Sequence, residues 1–146
     1  MNTRPDFYTA SPEVLKAMIA LEGAVGKLDI DPVFIHLIKL RASQVNGCAF
    51  CVDMHVTEMR KAGESERRIA TVAAWEDTPF FTPRERAVLA WTEAITRIAD
   101  SRAPDAVYEA LAAHFTPKQM VDLTLAINTI NSWNRLAIGF RKALAP

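Results

Sequence analysis

Cysteine is scarce in this chain, with only two among 146 residues, and there is no excess of either charge, since Lys plus Arg number 17 and Asp plus Glu number 17. No basic cluster is dense enough to follow a phosphate backbone. Arg60–Lys61 and Arg67–Arg68 are short and sit among acids, so nucleic acid is not an expected partner. No apolar run approaches the roughly 18 residues that cross a bilayer. The opening stretch MNTRPDFYTASPEV has no apolar h-region of the kind a secretory signal carries. A membrane role is therefore not expected, and the cytoplasm is the expected compartment. Low-complexity tracts and internal repeats are also missing. So is any segment that alternates apolar and polar residues over strand length between turn signals.

What is present fits an all-α protein. Half of the residues are hydrophobic and 23% are charged, which suits a packed core rather than disorder. The length suits a single domain over residues 1–146, burying roughly two thirds of the surface of the unfolded chain. Four polar–proline pairs, Ser11–Pro12, Asp31–Pro32, Thr82–Pro83 and Thr116–Pro117, each place an N-cap oxygen before a proline at the first helical position. Thr82 with Glu85, and Thr116 with Gln119, complete capping boxes. Hydrophobic spacing and glycine stops then predict helices over 12–27, 32–46, 48–62, 65–75, 83–98, 104–114 and 117–138, with Gly47 and Gly63 as left-handed terminators and Gly139 as a break. The last helix carries apolar residues around much of its circumference, from Val121 to Phe140. Burial on two sides implies a second cover, and a homo-oligomer supplies it most simply.

Both cysteines fall in one stretch, SQVNGCAFCVDMH, from Ser43 to His55. Placed at the start of a helix, Cys48 meets unpaired backbone N–H groups and the positive end of the macrodipole, which favour thiolate. Cys51 lies three residues on and His55 four beyond that, so all three share one helix face. The elements of an activated nucleophile are present: a thiol, a base one turn away and a second thiol to resolve the product. Two other readings stand beside it. Cys48, Cys51, His55 and His36 are four plausible zinc ligands for a non-enzymatic helical module. The cysteines can also be merely redox-sensitive residues of an oligomeric helical scaffold.

His36 belongs to the preceding helix, where folding back at Gly47 brings it within reach of His55, directly or through water. His114, near a helix end, suits a structural or surface role. Ser43, Gln44 and Asn46 read as a polar helix end. Glu58, three residues past His55, reads as an exposed carboxylate that could also serve the histidine. Asp53 reads as solvated, and Trp75, Trp91 and Trp133 as packing residues. The segment NSWNR at 131–135 is odd inside a helix and suggests polar pairing with a neighbouring subunit or with backbone near the site.

The run from Leu37 to Ile69, with its S-Q-x-N-G lead-in and C-x-x-C-x-x-x-H motif at its centre, resembles the alkyl hydroperoxidase D-like proteins of the carboxymuconolactone decarboxylase-like superfamily. The stretches 85–98 and 115–135 and the pair Gly139–Phe140 are similar to that family as well. The resemblance implies a helical, oligomer-forming domain with its core motif at about 32–63 and thiol-based peroxide reduction without metal or organic cofactor. It implies that Cys51 attacks the hydroperoxide, that Cys48 resolves it, that His55 relays protons, and that an external dithiol or protein reductant recycles the disulfide. The family relay usually has a glutamate twelve residues before the first cysteine, where this chain has His36. The decarboxylase of the superfamily name lacks the cysteine pair, so that activity is not implied. Light scattering at low micromolar concentration should give a mass well above the 16.2 kDa of one chain; a stable mass near that value would defeat the oligomer expectation.

Overall fold

Proline and its preceding cap begin the main helices of the computed structural model, which describes residues 3–146. Met1 and Asn2, the first residues of the segment read above for a signal, lie outside the described residues. The elements are α1 (Phe7–Ala10), α2 (Pro12–Val25), α3 (Pro32–Asn46), α4 (Ala49–Lys61), α5 (Glu66–Thr71), a 3₁₀ segment (Val72–Asp77), α6 (Pro83–Thr96), α7 (Ile98–Ser101), α8 (Asp105–Ala112) and α9 (Pro117–Gly139). No strand occurs among the described residues, and none of their helices is long and apolar enough to cross a membrane. Ser11, Asp31, Thr82 and Thr116 each accept a backbone N–H as N-caps, and both capping boxes are closed. Gly47 and Gly63 adopt the left-handed conformation at φ 71° and 86°.

One expectation needs correction. The stretch expected as one helix over 65–75 is a short α-helix followed by a 3₁₀ segment, with a kink at Ala74. The last helix ends at Gly139, the position of the expected break, and the closing turn that follows places Arg141 in the left-handed conformation (φ 56°).

The helices enclose α3. Its stripe Phe34, Ile38 and Ala42 joins the core built with Val88 and Trp91 of α6 and Leu123, Ile127 and Ile130 of α9. Leu37 and Leu40 join a second cluster with Met59, Val72, Trp75 and Leu89. This two-sided burial explains why α3 is apolar on more than one stripe. The apolar circumference of α9 has the same cause. Within the one chain it meets α2, α3, α4, α6 and α8, so the second cover does not require a partner subunit. Val121, 69% exposed, is the large hydrophobic of that helix left most open.

A polar knot fixes the end of α3 against α9. The Asn46 side-chain amide donates to Asn131 Oδ1 at 3.0 Å and to Asn134 Oδ1 at 2.9 Å. Asn134 in turn donates to Ser43 Oγ at 3.1 Å, and Asn131 to Thr96 Oγ1 at 3.0 Å. The asparagines that sit awkwardly in a helix interior thus pair within the chain, with side chains at the end of α3 and with the Ile127 carbonyl. Asn131 and Asn134 are buried, so removing their shared donor leaves two dry acceptors. Asn46→Ala should lower the unfolding free energy by about 1–3 kcal/mol, the usual cost of such orphaned groups, as measured by urea denaturation.

Candidate active site

The site grows from the turn between α3 and α4. Gly47 reverses the chain in a conformation other residues resist. Cys48 N–H then bonds back to the Ser43 carbonyl at 3.0 Å. Cys48 is the N-cap of α4, one position earlier than the first turn, and its sulfur accepts the Cys51 N–H at 3.3 Å. Both sulfurs therefore stand at the positive end of α4, where an anion is favoured. Here they are joined as a Cys48–Cys51 disulfide with Cα atoms 5.3 Å apart. Each cysteine is only 2% exposed, packed against Ala137, Phe50 and Ile138.

His55, one turn beyond Cys51, is 3% exposed. Its Nδ1 lies 2.8 Å from Glu58 Oε2. An ionised carboxylate can only accept, so Nδ1 carries the proton and donates. The opposite nitrogen, Nε2, is buried and has no hydrogen-bond partner among the described residues. Glu58 is held below the ordinary carboxylate range chiefly by the His55 hydrogen bond, while burial opposes the shift. The Glu58 side chain stays 41% exposed, as expected, and it also serves the histidine, the alternative that its spacing offered.

Cys51, His55 and Glu58 line a cavity of about 220 Å³. Its remaining walls are mainly apolar: Phe7 and Tyr8 from α1, Phe50 and Met54 from α4, and Ile130, Trp133 and Ala137 from α9. One polar group completes it. Glu22 receives Lys39 Nζ on one oxygen and the Trp133 indole N–H on the other, the latter at 3.1 Å. Trp133 is thus more than packing. Sequence reasoning missed Phe7, Tyr8 and Glu22, which lie far along the chain from the motif, and Lys39, which lies near it, because none of them carries a signature of its own.

His36 is placed elsewhere. It lines a separate cavity with Val33, Met59, Ala62 and Glu64. No hydrogen bond joins it to His55 among the described residues. The two are coupled only through charge, since His55 and Glu58 both act on the protonation of His36. The four-ligand zinc arrangement is not assembled. The disulfide uses both sulfurs, and no group of three or more metal-binding side chains occurs among the described residues. His114 and Asp53 are exposed.

Comparison with known proteins adds to this geometry. Residues 12–94 match the carboxymuconolactone decarboxylase family. The uncharacterised protein YdfG of Bacillus subtilis is 44% identical over 138 residues, covering 94% of each chain. The alkyl hydroperoxide reductase AhpD of Azorhizobium caulinodans is 37% identical over 59 residues, which are 40% of this chain and 32% of that protein. The crystal structure of ATU0492 from Agrobacterium tumefaciens, described as a protein of unknown function and a candidate AhpD of antioxidant defence, superposes with a TM-score of 0.96. It is 50% identical and covered, like this chain, to 99%.

Burial holds His36 below its ordinary value of 6.5, with the Lys39 charge assisting and Glu58 opposing. A lowered value means that the unfolded chain binds the proton more readily. The associated stability is therefore full above about pH 6.5 and is lost as pH falls through the folded-state value. His36→Gln should flatten the fall in unfolding free energy on acidification just below that pH, in denaturant titrations run at a series of pH values.

Proposed function

The chain belongs to the carboxymuconolactone decarboxylase family and is AhpD-like within it, and from that membership we propose that it is a thiol-dependent peroxidase. The observation that carries this reading is the Cys48–Cys51 pair at the cap of α4, with Cys51 on the same cavity wall as an imidazole whose Nε2 is unpartnered. In the reduced protein, Cys51 thiolate attacks the distal oxygen of a hydroperoxide. The O–O bond breaks, and the leaving alkoxide takes a proton to become an alcohol. Cys51 is left as sulfenic acid. Cys48 thiolate then attacks the Cys51 sulfur, and hydroxide departs as water once protonated. One dithiol and one hydroperoxide thus give one disulfide, one alcohol and one water. An external dithiol restores the pair by exchange.

His55 supplies the proton relay in this scheme, and Glu58 orients it through Nδ1, taking the part that the family pattern gives to a carboxylate at the position of His36. His36, in its separate cavity, makes no hydrogen bond to His55 among the described residues and is held toward its neutral form by burial, so its part in the relay is at most indirect. The start of α4 supports thiol chemistry at the pair, because backbone N–H groups and the helix dipole there favour negative charge, while the assignment of attack to Cys51 rests on the family resemblance and on its place beside His55 in the cavity wall. The homo-oligomer stays part of the proposal on the strength of the family rather than of α9.

In a Cys48→Ser variant, one equivalent of peroxide should leave a sulfenic acid on Cys51, read by mass spectrometry after trapping. Adding Glu58→Gln to that variant should slow its formation by roughly 10- to 100-fold, less than the full contribution of an acid–base group. Oxidation found only at Cys48 in a Cys51→Ser protein would reverse the roles.

A further inference from the structure

The two ends of the chain meet over the cysteine pair, and nothing in the motif itself calls for that. Three observations define the meeting. Arg4 Nη1 donates to the Gly139 carbonyl at 2.5 Å, and the rings of Phe7 and Phe140 lie 6.2 Å apart. After α9 the chain closes in a left-handed turn at Arg141. There Lys142 N–H bonds to the Ala137 carbonyl and Arg141 N–H to that of Ile138, the paired bonds of a Schellman motif. That turn sends Lys142 back over the site, with its ammonium 4.2 Å from the Tyr8 ring centroid and 6.0 Å from that of Phe50. Phe50 is the residue between the two cysteines that packs on them.

The result is a wall with a fastening. Phe7, 7% exposed, and Tyr8 form one side of the cavity that Cys51 and His55 line. They sit on a helix of only four residues. A helix that short does not hold itself together, so its position depends on what it touches, and Lys142 is a principal contact. An aromatic wall of this kind discriminates by bulk, because a rigid ring either leaves room for a group or does not.

Resting on the peroxidase reading above, we propose that Phe7 and Tyr8, held in place by Lys142, are the specificity-determining residues of the site and select by size the oxidants and thiol reagents that reach Cys48 and Cys51. Compact hydroperoxides and small thiols pass the wall, whereas bulky aryl hydroperoxides and large reagents are slowed by it.

The test separates this inference from the function on which it rests. In reduced protein, alkylation by iodoacetamide is compared with labelling by a fluorescein maleimide. Phe7→Ala and Tyr8→Ala should raise the maleimide rate relative to iodoacetamide by about tenfold, the scale on which one changed apolar contact discriminates. Lys142→Ala should shift the ratio in the same direction with both rings retained. It keeps the test open if Phe7→Ala fails to fold by circular dichroism. The ratio of kcat/KM for cumene hydroperoxide over hydrogen peroxide should rise in parallel. An unchanged labelling ratio in the folded variants overturns the proposal, as does an unchanged peroxide ratio in protein that turns over both substrates. A shifted labelling ratio in protein that consumes no peroxide upholds the wall and overturns the peroxidase function.

Discussion

A carboxamide cannot be left dry inside a helical core, and the arrangement of this protein follows from how Asn46 meets that demand. Its amide donates to both Asn131 and Asn134, and those residues reach on to Thr96 and Ser43. The knot pins the last turn of α3 to the middle of α9. With that turn fixed, Gly47 has one way to reverse the chain, Cys48 becomes the cap of α4, and the direction of α4 is set. Cys51, His55 and Glu58 then take their places by helical phase alone. Hydrogen bonds in such a network are directional and costly to leave unmade. They therefore specify one register between helices whose apolar faces would tolerate several.

The electrostatics of the site divide by redox state. In the disulfide the two sulfurs carry no charge, and the N–H groups at the start of α4 have only a weak acceptor in Cys48 Sγ. In the dithiol of the proposed cycle the same groups would favour a thiolate. The protein thus meets the reduced pair with a backbone already arranged for an anion. His55 is held in one tautomer by Glu58, so its other nitrogen need not be sorted between donor and acceptor before it acts. The apolar walls strengthen each of these effects by keeping water away.

Much of this was legible in the residues, and what was not has common physical causes. Ser11, Asp31, Thr82 and Thr116 announce their helices because a cap is decided within one turn of chain. The motif from Cys48 to His55 was legible for the same reason. The four-residue helices at Phe7–Ala10 and Ile98–Ser101 were not, since periodicity needs more turns than they possess and tertiary contacts hold them. Glu58 stood at the right spacing, but whether a carboxylate pairs or faces water depends on how deeply its neighbour is buried. Sequence spacing does not carry that information. The argument from α9 to a partner subunit assumed that a small chain could cover only one side of it, whereas five of this chain's own helices wrap it. His36 was placed within reach of His55 by a simple hairpin of two helices. The packing gives His36 to a separate cavity, beside Met59 and Glu64.

The partnership of His55 with Glu58 has an evolutionary consequence. Sulfur, imidazole and carboxylate all belong to one short helix and its cap, so the proposed reactive unit is encoded as a contiguous cassette. The chamber around it is assembled from α1, α2, α3 and α9, which come from both halves of the chain. Substitutions that reshape the chamber need not pass through the cassette, so on the proposed function a lineage can change what the chamber admits without rebuilding the chemistry.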